Sequence, residues 1–186
     1  VKKEAQIILK QRNKKESLNY ITSEFAKIEQ PNSKFIFDIA NFYKNSKEYK
    51  NAIVKYTKVI ETIKSPEIKA DLLYRRGGSY ERIGDYENAD KDLLHSLKIR
   101  PDDAYVLNYL AYSWLERNFK IQEAIKMLEI AYDSKSDDPY IIDSIGWAYY
   151  LTGEYSKAEQ YLRRAVELMP YDPIVNDHYG DILWKL

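Results

Sequence analysis

The chain repeats itself with a period near 34 residues, and few folds are compatible with that constraint. Small residues recur at Ala40, Gly77, Ala111, Gly146 and Gly180, spaced 37, 34, 35 and 34 apart. Three residues after each comes a large ring, Tyr43, Tyr80, Trp114 or Tyr149, with Leu183 in the last copy. Twelve residues after the small residue, or thirteen in the third copy, stands Ala52, Ala89, Ala124 or Ala158. Four beyond these alanines lie Tyr56, Leu93, Leu128 and Leu162. Offsets of three and four are neighbours on one helix face, so each copy reads as two helices with an apolar seam.

Gly84-Asp85 and Gly153-Glu154 fall between the two periodic stretches, where a helix end needs a residue able to take a positive φ. Asp138-Pro139 and Asp172-Pro173 read as N-caps followed by proline at the first helical position, and Pro101 and Pro170 close second helices. The units are expected near 33–69, 70–103, 104–138 and 139–172, with a half unit at 173–186. Residues 1–32, with Ala5, Ile7, Ile8 and Leu9 and then Leu18, Ile21, Phe25 and Ile28, read as a degenerate leading unit. Three extra residues around Ser65-Pro66-Glu67 and one in Arg117-Asn118-Phe119-Lys120 are expected in loops, where they cost little. Exposed Leu183 and Trp184 suggest that the array continues past Leu186.

Leu73, Arg76, Gly77 and Tyr80, then Ala89, Leu93 and Pro101, resemble the tetratricopeptide pattern of a large residue, Leu-Gly, Tyr, Ala, Phe and Pro. Ile142, Ile145, Gly146, Tyr149, Ala158, Leu162, Ala165 and Pro170 match it better still, and the resemblance covers roughly residues 33–186. It implies an all-α, right-handed α-α superhelix of about ten helices, whose first helices line a concave groove. Segments 105–114, 143–147 and 176–184 are similar to the C-terminal arrays of proteobacterial repeat proteins, some of them lipid-anchored. Within that wider group are adaptors that bring substrates to a periplasmic protease. Abundant Lys, Ile, Asn and Tyr suit an AT-rich bacterial genome.

First-helix positions one turn off the seam are then the candidates for partner binding: Phe37, Asn41, Tyr74, Asn108, Tyr112, Tyr140, Asp143, Trp147, Tyr150, Asp177 and Asp181. Rings left in water would form a costly apolar patch, which a partner relieves; the alternative is that they pack between adjacent first helices. Asn41 and Asn108 suit an extended peptide backbone. The acidic members Asp143, Asp177 and Asp181 predict a partner segment with Lys or Arg at one end and apolar side chains in the middle. Relatives that bind chaperone C-termini clamp a carboxylate with Lys, Asn and Arg. Here Phe37 stands where a clamp Lys would be. Asn41 keeps the Asn, and Tyr74 with Gly78 and Asn108 with Tyr112 bring no cation, so that mode is disfavoured.

Composition narrows the function. With 45% hydrophobic and 31% charged residues the chain can fill a core, so disorder is not expected. No apolar run approaches the length of a membrane span, and direct membrane insertion of this segment is not expected. Cysteine is absent, which rules out disulfides and thiolate metal sites while leaving bacterial cytoplasm and periplasm both open. His95 and His178 lack ligand partners at helical spacing and read as surface or packing residues. Gly77-Gly78 and Gly146 precede packing aromatics and form no phosphate loop. No enzyme and no cofactor is expected.

Residues 1–100 hold 21 Lys+Arg against 14 Asp+Glu, and residues 101–186 hold 8 against 15, so the halves carry +7 and −7. With zero net charge and an acidic second half, nucleic-acid binding by Arg75, Arg76 and Arg82 beside Tyr74 and Tyr80 is disfavoured. The sequence therefore points to a protein-interaction scaffold or adaptor for a protein or peptide. Self-association through residues 171–186 at the open end is the alternative.

Overall fold

Side-chain caps decide where most of the helices begin. A computed structural model describes residues 2–11, 13–28 and 31–186, and among them are eleven α-helices and no strand. They are α1 (Lys2–Gln11), α2 (Lys14–Ala26), α3 (Ser33–Asn45), α4 (Tyr49–Thr62), α5 (Pro66–Arg82), α6 (Tyr86–Ile99), α7 (Ala104–Glu116), α8 (Ile121–Ser134), α9 (Pro139–Leu151), α10 (Tyr155–Leu168) and α11 (Pro173–Lys185). The chain divides into two compact units, Val1–Arg100 and Pro101–Leu186. In the first, α1 packs on α2, α3 on α4 and α5 on α6, with α4 against α5. In the second, α7 packs on α8 and α9 on α10, α8 lies against α9, and α11 covers α10 and part of α9. The fold is the expected all-α stack of antiparallel pairs.

The first helix of every pair from α3 onward starts on a side chain that accepts from the opening turn: Asn32, Ser65, Asp103, Asp138 and Asp172. Asp138 and Asp172 do so with proline at the first position, as their sequence predicts. Within pairs the turn repeats its geometry. Left-handed residues stand seven places after the small residue, at Lys47 (φ 61°), Gly84 (φ 79°), Asn118 (φ 51°) and Gly153 (φ 80°). The N–H of the residue that follows, Glu48, Asp85, Phe119 or Glu154, donates to the carbonyl of Tyr43, Tyr80, Trp114 or Tyr149 at 2.8 to 3.0 Å. This closure satisfies an orphan carbonyl at the helix end and reverses the chain.

Close approach sets the core. A Cβ on Gly146 would lie 2.8 Å from Leu162 Cγ, and one on Gly77 would lie 3.0 Å from Leu93 Cγ, so each leucine sits in the space a side chain would take. Ala40 and Ala111 are fully buried at the same position, as are Ala52, Ala124 and Ala158 across the seam. Where the repeat pattern has leucine, Arg76 reaches into the pair instead. It grips Asp92 of α6 through Nε (2.6 Å) and Nη2 (2.8 Å) and donates from Nη1 to Thr57 of α4 (2.9 Å), so its charge is met in full.

Two departures from expectation have local causes. The extra residues at Ser65-Pro66-Glu67 do not form a loop: Ser65 caps the Ile68 N–H and Pro66 opens α5, so the insertion lengthens a helix. The insertion at 117–120 does lie in a turn, where Phe119 folds edge-on against Trp114 at 5.6 Å. In the leading segment α1 and α2 pair through buried Ala5 and Ile21, and the Ser17 hydroxyl donates to the Ala5 carbonyl at 2.5 Å. The side chain of Leu9, expected in that core, lies outside the described residues.

The last helix is held on one side and open on the other. His178 and Asp143 are each 5% exposed, and the His178 Nδ1–H donates to the Asp143 carboxylate at 2.9 Å, fastening α11 to α9. Gly180 has nothing within 4 Å of its would-be Cβ, and Trp184 is 90% exposed.

Gly146→Ala should therefore destabilise the second unit by about 1–3 kcal/mol through overpacking. Gly180→Ala should be neutral or gain up to about 1 kcal/mol from helix propensity. Urea denaturation followed by circular dichroism separates the two, and equal losses would contradict the packing assigned to Gly146. His178→Phe keeps a stacking ring but strands a buried carboxylate, so it should cost about 1–3 kcal/mol. Asp143→Leu combined with His178→Phe should recover most of that loss. Hydrogen exchange should place the loosening in α11.

Candidate protein-interaction site

The first helices of the two units present the predicted residues in different states. In the first unit Phe37 and Asn41 on α3 and Tyr74 on α5 are half-buried. Asn41 is fixed: its Oδ1 accepts the Tyr56 hydroxyl at 2.7 Å and Arg75 Nη1 at 3.4 Å. Burial pushes the Tyr56 hydroxyl well above its ordinary pKa, so it stays a neutral donor. Arg75 is anchored through Nε to Asp71 Oδ2 at 2.8 Å and lies over the Phe37 ring, its carbon 5.5 Å from the centroid. Lys44, one turn along α3 from Asn41, is partly buried. Desolvation and then the neighbouring Arg75 charge lower its pKa, partly offset by Asp71.

In the second unit three of the four predicted rings, Tyr112, Trp147 and Tyr150, form one cluster with His178. Trp147 is sandwiched, with His178 stacked on one side at 4.1 Å and Tyr150 at 4.8 Å, both within 12° of parallel. Its π-faces are thus occupied. Tyr112 lies beside His178 at 6.3 Å. Burial first, then the Glu116 and Asp143 carboxylates, hold its hydroxyl well above the ordinary pKa and keep it a donor. Asp143 was expected to face a partner's cation, but it is buried and committed to His178, because a carboxylate on this face of α9 meets the ring arriving from α11. Asp177, Asp181 and Tyr140 are exposed. Of the buried side-chain polar atoms left without a hydrogen-bond partner among the described residues, which include Ser46 Oγ and Trp114 Nε1, two belong to predicted site residues. Asn108 Oδ1 on α7 and Trp147 Nε1 on α9 are buried, and among the described residues neither finds a hydrogen-bond partner.

Sequence reasoning missed Lys44, weighed Arg75 only for nucleic acid, and read His178 as a surface or packing residue without naming its partner Asp143. The repeat frame held the signal: Arg75 and His178 both stand two residues before the small residue of their copy, and Lys44 occupies the position that Tyr150 holds in its own. Among the described residues no group of three or more His, Asp or Glu is placed to hold a metal ion, and no helix is long and apolar enough to cross a membrane.

Comparison with known proteins places this geometry. Tetratricopeptide repeat family models match residues 70–103 and 139–172. Over 111 residues, 60% of this chain, the sequence is 37% identical to the TPR repeat-containing protein PA4667 of Pseudomonas aeruginosa; the match covers 19% of that protein, so the chain spans about a fifth of the relative's length. Among solved structures, MamA from Desulfovibrio magneticus RS-1 superposes with a TM-score of 0.70 at 19% identity, over 82% of this chain and 84% of that one. Pseudomonas aeruginosa pilF gives 0.71 at 19% identity, over 82% and 68%. At such identities the structural likeness is one of fold. Two units are thus matched as tetratricopeptide repeats, the copies between and before them share the same turn and close approach, and the sequence relative is itself a repeat protein: the chain carries tetratricopeptide repeats at residues 70–103 and 139–172.

Proposed function

We propose that the first-helix face of the second unit holds an extended segment of a partner polypeptide, with a basic residue of that segment near Asp177 and Asp181. Tetratricopeptide repeat proteins are in general non-enzymatic protein-interaction scaffolds, and the matched repeats support a scaffold reading here. The face and the partner's chemistry are our reading.

One observation carries it. Asn108 Oδ1 is a buried acceptor and Trp147 Nε1 a buried donor, on successive first helices, and neither is paired among the described residues. Leaving such groups unmet costs about 1–3 kcal/mol each. A peptide group supplies one N–H and one C=O, which is the complement of that pair. The rings around them contribute shape and exclude water, while exposed Tyr140 offers contact area at the edge. Asp143 plays no direct part, so the basic end of the segment relies on Asp177 and Asp181.

A second reading has its own support. The outer face of α11, with the open space at Gly180, half-exposed Leu183 and fully presented Trp184, suits self-association. Sedimentation across a hundredfold concentration range tests it, and a persistent monomer removes it.

For the main reading, an amidated peptide with two lysines at one end followed by alternating Leu and Ala serves as the probe in fluorescence anisotropy. Asp177→Asn combined with Asp181→Asn should weaken binding about threefold to tenfold and flatten its salt dependence. Asn108→Ala should weaken it without changing the salt slope. Unchanged affinity in both variants would falsify the assignment of this face.

A further inference from the structure

We propose that the first-helix face of the first unit carries a carboxylate subsite, built from Lys44, Asn41 and Arg75, that takes an acidic side chain of a bound segment whose apolar neighbour rests on Phe37. The proposal extends to the first unit the reading that first-helix faces hold polypeptide, and it names what that unit selects.

The three donors are arranged before any ligand arrives. The Asn41 carbonyl oxygen is taken by Tyr56 and Arg75, and because the amide is planar its two Nδ2 hydrogens are turned the other way. Arg75 is held by Asp71 at Nε and lies over the Phe37 ring, two contacts that restrict the direction of the guanidinium fork. Lys44 sits one turn from Asn41 on the same face of α3.

Charge makes the arrangement informative. Two cations converge here, and Asp71, the carboxylate that acts on Lys44, is already committed to Arg75. Lys44 is left partly desolvated beside a like charge, which is unfavourable for folding. Arg76 shows the contrast, one residue further along α5: its guanidinium is fully met by Asp92 and Thr57 and has an evident structural use. An arriving carboxylate supplies the missing negative charge and accepts from Lys44, Asn41 and Arg75 together. The excess of seven positive charges over residues 1–100 steers such a group toward this unit. These cations are not the residues at which relatives clamp a chain terminus, since Phe37 and Tyr74 occupy those places.

The test uses the 186-residue chain and three short probes followed by heteronuclear NMR: an amidated Ala-Leu-Glu-Leu-Ala peptide, its Gln counterpart, and the Gln peptide with a free C-terminal carboxylate. The Glu peptide should shift the Asn41 side-chain amide and the Arg75 Nε resonances, and the Gln peptide should bind about tenfold more weakly. Lys44→Met should lose the same tenfold while raising the melting temperature of the free chain, and Lys44→Arg should retain binding. Equal affinity for the Glu and Gln peptides overturns the proposal, and so does a Lys44→Met chain that binds the Glu peptide normally. Preference for the free C-terminus over the internal Glu overturns the side-chain assignment. Lys44→Met should leave binding of the lysine-bearing probe to the second unit unchanged. Failure of the Glu peptide with that binding intact refutes the subsite alone, whereas failure of both probes refutes the reading on which it rests.

Discussion

Everything in this chain depends on how closely two antiparallel helices approach at one residue. At Gly146 the backbone of α9 comes so near α10 that Leu162 occupies the volume of a side chain, and Gly77 receives Leu93 in the same way. A close-packed interior leaves no slack for an extra methyl at such a point. The contact fixes the register of each pair, and register determines which residues of the first helix are turned away from the seam. The candidate interaction residues are a consequence of that choice: with the seam rotated by one position, Asn108 would leave the outer face and Leu107 would take its place. The repeating turn supports the same register, because a left-handed residue seven places on closes each helix whether it is Gly153 or, at greater backbone cost, Lys47 or Asn118.

The position two residues before the small one shows how a repeat diverges without changing its geometry. Arg75 and His178 both reach from that position to the preceding first helix, Arg75 to Asn41 and His178 to Asp143. In the second case the contact is buried and fully committed, and it fastens the final helix. In the first, the guanidinium is anchored at one edge, next to a lysine whose charge is not met. One backbone position thus serves as a fastening in one unit and as part of an open face in the other, and the difference lies in whether the facing residue brings a full negative charge.

The seam, the caps and the turns were legible in the sequence because each rests on contacts local to one pair: Asp138 caps its own helix, and Gly153 closes its own turn. The outward face was legible only in part, since its residues contact first helices some 35 positions away. Asp143 looked like a surface acid because nothing near it in sequence announces His178. Trp147 was expected to offer its rings to a partner, but stacking on both sides leaves only the indole edge with an unmet donor. The insertion at Ser65-Pro66-Glu67 was misplaced for a different reason. A serine followed by proline reads as punctuation, and here it is punctuation of the kind that begins a helix.

The charge split and the division of the fold coincide. The boundary between the compact units lies at Arg100 and Pro101, so a net of +7 belongs to one unit and −7 to the other. Within a Debye length of about 8–10 Å such fields act on what each face touches and are screened beyond it. On the proposed reading, selectivity arises locally, from the groups on each face that folding leaves unmet: Lys44 in the first unit, Asn108 and Trp147 in the second. Those groups reduce the stability of the free chain, and a well-packed scaffold can tolerate them because its register is secured elsewhere, at glycines and alanines that touch no partner. A partner that satisfies them recovers free energy that folding left unrealised, and this differential is what separates it from any polypeptide of similar charge.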